Sequence, residues 1–243
     1  MTIETAVILS AGLGTRMRPL SEDTPKPLLT LEGEPILAHI IAQLREAGVR
    51  RFLVNAHYKA EQVEAFLRDI PGAEMIYEPE LLETGGAVAA MRAQGKLGEG
   101  PVLVVNGDAY WVDGPIPMLK RLERMFVPAR HDALLLLART AGTPSETRQG
   151  DFAWPTGGAL TRRREREVAP YVYAGVQIIA PALLDYAPGG AQKFSFNLLW
   201  DAALAAGRLS AMVHDGVWFH LSTPDDLEAA QAVLATREVG NST

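Results

Sequence analysis

The chain contains no cysteine, which excludes disulfides, thiolate chemistry and cysteine-ligated zinc. Nor is there an excess of basic residues. The net charge of −6 argues against nucleic acid as a partner, because binding to a phosphate backbone shows as a basic surface. No apolar run approaches the ~20 residues that cross a bilayer, so no membrane partner is expected. The start, Thr2-Ile3-Glu4-Thr5, lacks the basic segment of a signal peptide, and a cytoplasmic protein is the expectation. There is no low-complexity tract and no hexapeptide repeat, so no left-handed β-helix is expected.

What is present is a chain of 243 residues with 48% apolar content, enough for one α/β domain over 1–243 with its own core. Strand and helix signals alternate through the first half, which predicts a mostly parallel central sheet covered by helices. The apolar run Ala6–Leu9 reads as a buried first strand. Leu37, Ile40, Ile41 and Leu44 recur at helical spacing after Pro35, and Gly48 ends that helix. Strands at Phe52–Val54 and Glu74–Tyr77, a short helix around Val63 and a helix over 84–94 follow. Val102–Val105 is a continuous apolar run that predicts a central strand. In the second half Ala133–Leu137 and Tyr171–Ala180 read as strands, and residues 151–161 as a small hairpin reaching out from the sheet. Helices are expected at 181–187, 196–206 and 223–235, with short strands near 210–214 and 217–221.

Leu9-Ser10-Ala11-Gly12-Leu13-Gly14-Thr15-Arg16-Met17-Arg18-Pro19-Leu20, followed by Thr24-Pro25-Lys26-Pro27, joins a glycine-rich turn to three cations. Gly12 and Gly14 let the backbone turn tightly with N–H groups facing an anion, and Arg16 and Lys26 add mobile charge. A polyphosphate suits such a site. The dinucleotide fingerprint would need a third glycine where Met17 stands, and the Walker loop would need a G-K-[S/T] that is missing. Asn106-Gly107-Asp108 follows the central strand, so the glycine loop and Asp108 are expected at one crevice, where open α/β sheets bind ligands.

The run G-x-G-T-R-M-R-P-L with T-P-K-P resembles the signature of the sugar-1-phosphate nucleotidyltransferases. The likeness extends to Glu83-Thr84-Gly85-Gly86, Asn106-Gly107-Asp108 and Tyr173-Ala174-Gly175. It implies a Rossmann-like nucleotidyltransferase domain with a small β extension on the sugar side. It also implies a reaction joining a nucleoside triphosphate to a sugar 1-phosphate with release of pyrophosphate. The likeness is nearest to the type that takes UTP and N-acetylmuramate 1-phosphate in cell wall recycling, with GTP and mannose 1-phosphate second.

Under that resemblance Ala11, Gly12, Leu13, Gly14, Thr15 and Arg16 cradle the β- and γ-phosphates, and Lys26 meets the α-phosphate and the sugar phosphate. Arg18 is open between support for that site and a surface ion pair. Asn106 and the Glu83–Gly86 loop lie on the nucleotide, Thr84 doubling as a helix cap. Tyr173 and Gly175 lie on the sugar; Glu146 and Lys193 are further candidates that no motif carries. Asp108 binds magnesium or manganese, a hard oxygen donor at a strand end facing a triphosphate, although N-G-D is also an ordinary turn.

One position departs from the family pattern. Where a second metal-binding Asp is expected, this chain reads Trp218-Phe219-His220-Leu221-Ser222-Thr223, so His220 replaces a carboxylate. An imidazole suits manganese or softer ions better than magnesium. His220 either ligates the metal, holds a water or phosphate oxygen beside it, or marks lost turnover; retained activity is the expectation. A silent nucleotide-sugar sensor is the alternative. Asp225 and Asp226 read as a helix start with Thr223 as cap, the Arg162–Arg166 run as a solvated strand end, and Trp200, Leu198 and Leu199 as core. A monomer or homodimer is expected.

Overall fold

A computed structural model of the chain describes residues 2–141, 149–189 and 193–241. The first half builds four parallel strands. Strand β1 (Thr5–Leu9) pairs with β4 (Arg51–Ala56) on one side and β6 (Val102–Asn106) on the other, and β4 pairs with β5 (Ala73–Tyr77). Between them lie the short hairpin β2 (Thr30–Leu31) and β3 (Glu34–Pro35), and helices α1 (Ile36–Ala47), α2 (Ala60–Leu67) and α3 (Glu83–Ala93). Gly48 ends α1 in a left-handed conformation, φ 111°, as its position predicts.

The second half reverses one strand. β11 (Tyr171–Ile179) runs antiparallel between β6 and β8 (Ala133–Arg139), and β12 (Leu209–Val213) then pairs parallel with β8. The predicted hairpin forms as β9 (Phe152–Ala153) and β10 (Thr161–Arg162), attached to the start of β11. Besides the β2–β3 hairpin, a second pair of strands stands apart from the main sheet. β7 (Ala109–Val112), directly after Asp108, pairs antiparallel with β13 (Val217–His220), setting His220 opposite Ala109.

Alternate strand residues enter different cores, as period-two geometry requires. Ala6, Ile8, Leu103 and Val105 face α1, α2, helix α4 (Met118–Met125) and helix α6 (Pro224–Asn241). Val7, Val102 and Val104 face α3 and α5 (Phe196–Ala205). The helices at 196 and 224 start close to the predicted places. Thr223 Oγ1 accepts the Asp226 N–H at 3.2 Å while Asp226 Oδ2 accepts the N–H groups of Ser222 and Thr223, a reciprocal cap.

Two expectations about side chains are corrected. Arg162 is not simply solvated: its guanidinium covers the rings of Phe152 and Trp200 at 5.0 and 5.8 Å and pairs with Asp201 at 3.3 Å. Arg164 and Arg166 are exposed as expected. Trp200 and Leu199 are core residues, whereas Leu198 on the outer face of α5 is exposed.

Candidate active site

The parallel strands all end at one edge of the sheet, and the side chains gathered there form a cleft of about 310 Å³. β1 and its following loop contribute Leu9, Ala11 and Gly12. The ends of β4 and β5 contribute Asn55 and Glu78, the start of α3 contributes Leu81, Glu83 and Thr84, and the β6 turn contributes Asn106 and Asp108; Lys193 comes from the segment before α5.

Lys26 lies between buried Pro25 and Pro27 at the start of a 3-10 turn, which fixes its backbone. Its Nζ donates to Asp108 Oδ2 at 2.8 Å. His220 Nε2 stands 3.4 Å from the same oxygen, its ring stacked on Trp218 at 4°. The Leu221 N–H donates to the Asp108 carbonyl at 2.8 Å, tying the two strand ends together. Burial opposes charge on Asp108, but Lys26 and His220 outweigh it and hold the carboxyl well below the usual carboxylate range.

The glycine loop packs against this cluster. Gly14 has φ 63°, and a Cβ there would lie 3.3 Å from both Lys26 Cβ and Ser21 Cβ. Ser21 Oγ donates to the Gly14 carbonyl at 2.7 Å, so a buried hydroxyl pins the turn. Leu13, Thr15, Arg16 and Arg18 are exposed along the loop, while Met17 is buried beneath it.

Two polar cleft residues escaped sequence reasoning. Asn55 Oδ1 accepts the Ser10 N–H at 2.6 Å, and its Nδ2 donates to Glu78 Oε1 at 2.7 Å. Glu78 Oε2 in turn accepts the Leu82 N–H at 3.3 Å. This buried pair connects the approach to the glycine loop with the approach to α3. A polar residue ending the apolar run Phe52–Val54, at a parallel strand's carboxyl end, was the available signal.

The Glu83–Gly86 segment divides. Glu83, at φ 60°, and Thr84 line the cleft. Gly85 and Gly86 do not line it: their N–H groups donate to the Phe194 carbonyl at 3.0 and 2.9 Å, and a Cβ on Gly85 would strike the Phe194 ring at 2.6 Å. Thr84 does not cap α3. Its Oγ1 accepts the Phe196 N–H at 3.1 Å and so serves the start of α5.

On the other side, Gly175 sits at an irregularity of β11 with φ 76°, where a Cβ would meet Ala109 Cβ at 2.8 Å and Asn106 Cβ at 3.2 Å. Tyr173 packs edge-on against Trp200 at 4.7 Å, and its buried hydroxyl finds no hydrogen-bond partner among the described residues. Burial, with Asp108 nearby, pushes its phenol well above the usual range, so it stays neutral. Tyr173 and Gly175 flank the cleft without lining it, and Glu146 lies outside the described residues.

A divalent cation fits this donor set in part. No group of three or more His, Asp or Glu gathers as a cage among the described residues. Asp108 and His220, 3.4 Å apart, suit two adjacent positions on one ion, since donors ~2.1 Å from a metal and at right angles are roughly 3 Å from each other. Phosphate oxygens and water would have to supply the rest of such an ion's ligands. Among the described residues no helix is long and apolar enough to cross a membrane.

Comparison with known proteins agrees with this geometry. Residues 6–190 match the MobA-like NTP transferase domain model. The chain is 36% identical over 237 residues to the N-acetylmuramate alpha-1-phosphate uridylyltransferase of Caulobacter vibrioides, covering 95% of this chain and 96% of that protein. It is 29% identical over 240 residues to the mannose-1-phosphate guanylyltransferase of Mycobacterium tuberculosis, covering 94% of this chain and 64% of that protein. A UDP-glucose pyrophosphorylase crystallised with UDP-glucose superposes with a TM-score of 0.78 at 15% identity over 97% of this chain and 99% of that one, a likeness of fold. Matched over most of its length in sequence and in fold, the chain belongs to the MobA-like NTP transferase family, among its sugar-1-phosphate nucleotidyltransferases.

Proposed function

We propose that this protein condenses UTP with N-acetylmuramate 1-phosphate to give UDP-N-acetylmuramate and pyrophosphate. The observation that carries the reaction is the convergence of Lys26 and His220 on one carboxylate oxygen of Asp108, at 2.8 and 3.4 Å, beside the glycine loop. The choice of substrates rests on the Caulobacter relative, which matches end to end.

The nucleophile needs no base, because a phosphate monoester loses its second proton near pH ~6. A sugar-phosphate oxygen forms a bond to the α-phosphorus as the bond to the bridging oxygen breaks, and the electron pair leaves with pyrophosphate. The barrier is charge, so positioning and electrostatics do most of the catalysis. Lys26 neutralises the α-phosphate and the incoming sugar phosphate; Arg16 and the amides of Ala11–Thr15 hold the β- and γ-phosphates. Asn106, Glu83 and Thr84 face the nucleoside. Asp108 and His220 would hold a divalent cation, magnesium or manganese, which supplies positive charge against the triphosphate. Tyr173 and Gly175 shape the sugar side. UTP supply puts the reaction in the cytoplasm, with its product serving cell wall recycling.

Pyrophosphate release across four ribonucleoside triphosphates and a panel of sugar 1-phosphates, with each metal, tests the reading. Signal with UTP and N-acetylmuramate 1-phosphate is expected. Signal instead with GTP and mannose 1-phosphate would follow the mycobacterial relative. Binding of UTP with no release under either metal would make the protein a nucleotide-sugar sensor and give His220 the blame.

A further inference from the structure

The cleft is acidic in an unexpected way. Of the described residues lining it, Asp108, Glu78 and Glu83 are carboxylates, and Lys193 alone is a cation. Lys26 reaches the same region from beside Asp108, 2.8 Å from its carboxylate. A sugar that carries its own carboxylate, besides its phosphate, would meet like charge at every wall but one.

Lys193 is placed at that wall by backbone rather than by its own side chain. The next residue, Phe194, donates its N–H to the Leu82 carbonyl at 3.1 Å and accepts from both Gly85 and Gly86. Its ring fills the space that glycine leaves at 85, and Phe196 is tied to Thr84 two residues on. The segment carrying Lys193 is therefore stitched to α3, and its position does not depend on a charge pair.

The ammonium itself is lightly held. It stands 3.8 Å from Glu83 Oε1, beyond hydrogen-bond distance, with both side chains about half exposed. A planar carboxylate brought in with the sugar can take that ammonium at full hydrogen-bond distance.

We propose that Lys193 is the carboxylate-recognising residue of the sugar subsite, selecting sugar 1-phosphates that bear an acidic substituent such as the lactyl ether of N-acetylmuramate. This rests on the substrate reading above. The phosphates of the nucleotide are met elsewhere, at the glycine loop and Lys26, which leaves Lys193 to the one anion those groups do not reach.

The experiment measures kcat/KM for N-acetylmuramate 1-phosphate and for N-acetylglucosamine 1-phosphate, which lacks the lactyl carboxylate, at saturating UTP. Wild type, Lys193→Met and Lys193→Arg are compared. The preference of the wild type for the acidic sugar should fall by about tenfold or more in Lys193→Met, chiefly through KM for the sugar, and recover in part in Lys193→Arg. A loss shared equally by both sugars, a rise confined to KM for UTP, or an unchanged preference overturns the proposal while leaving the reaction intact. A wild-type enzyme that turns over UTP with neutral sugar phosphates but not with the acidic one overturns the substrate reading, and the role of Lys193 with it.

Discussion

Lys26 and Asp108, 82 positions apart in sequence, meet at 2.8 Å where the glycine loop and the central strand end. The Lys26 side chain is 14% exposed and that of Asp108 24%, so the pair is shielded without being sealed from a ligand. The site's charges thus lie in place before any substrate arrives.

Asp108→Asn keeps the shape and removes the charge. Turnover should fall by about a hundredfold or more, while circular dichroism shows the same folded chain. Full activity in this variant would remove Asp108 from the mechanism.

The same pair makes stability depend on acid. Because the folded-state pKa of Asp108 is depressed, its contribution is complete above the unfolded value of about 3.9 and disappears as pH falls toward the folded one. Urea melts should show wild type ahead of Asp108→Asn at pH 7 and the gap closing below pH ~4. A gap that does not change with pH contradicts the pairing.

His220→Asp should move metal preference toward magnesium, since a second carboxylate replaces a softer nitrogen. It also sets two like charges beside one another, so the variant should melt lower than wild type without metal and regain the difference in magnesium. An unchanged magnesium-to-manganese rate ratio would mean that His220 does not touch the ion.

Gly175→Ala combines a left-handed backbone with a Cβ 2.8 Å from Ala109. A loss of about 2 kcal/mol or more is expected in denaturant titration, with a fall in kcat because Asn106 must shift. Wild-type stability would show that β11 relaxes at its irregularity.

Asn55→Ala removes the acceptor of the Ser10 N–H and the donor to Glu78 in one change. The expected cost is about 1–3 kcal/mol, with KM for UTP raised severalfold as both cleft loops loosen. A KM equal to that of wild type would make the pair a matter of folding alone.

The first half of the fold was legible because its main strands are dense apolar runs and its first long helix has a clear stop at Gly48. β7 was not: Ala109–Val112 follows the N-G-D turn directly and finds its partner, β13, more than a hundred residues later. α4 was missed although its apolar positions are well spaced, and the hairpin of β2 and β3 is only two residues on each side. At the site, residue types carrying charge or glycine could be read in line, and Lys26, Asp108 and His220 do meet. What could not be read were pairings of neutral or buried polar groups, such as Asn55 with Glu78. Gly85 misled for a related reason: its missing side chain makes room for Phe194, a partner from the far half of the chain.

The Phe194 carbonyl also settles what α3 can do. A helix start normally presents unsatisfied amides that attract anions, but here the donors of Gly85 and Gly86 are both engaged within the protein. Those two amides are not left over to hold a phosphate. A single backbone oxygen from the other half of the chain thereby withdraws two donors of this helix start from ligand binding.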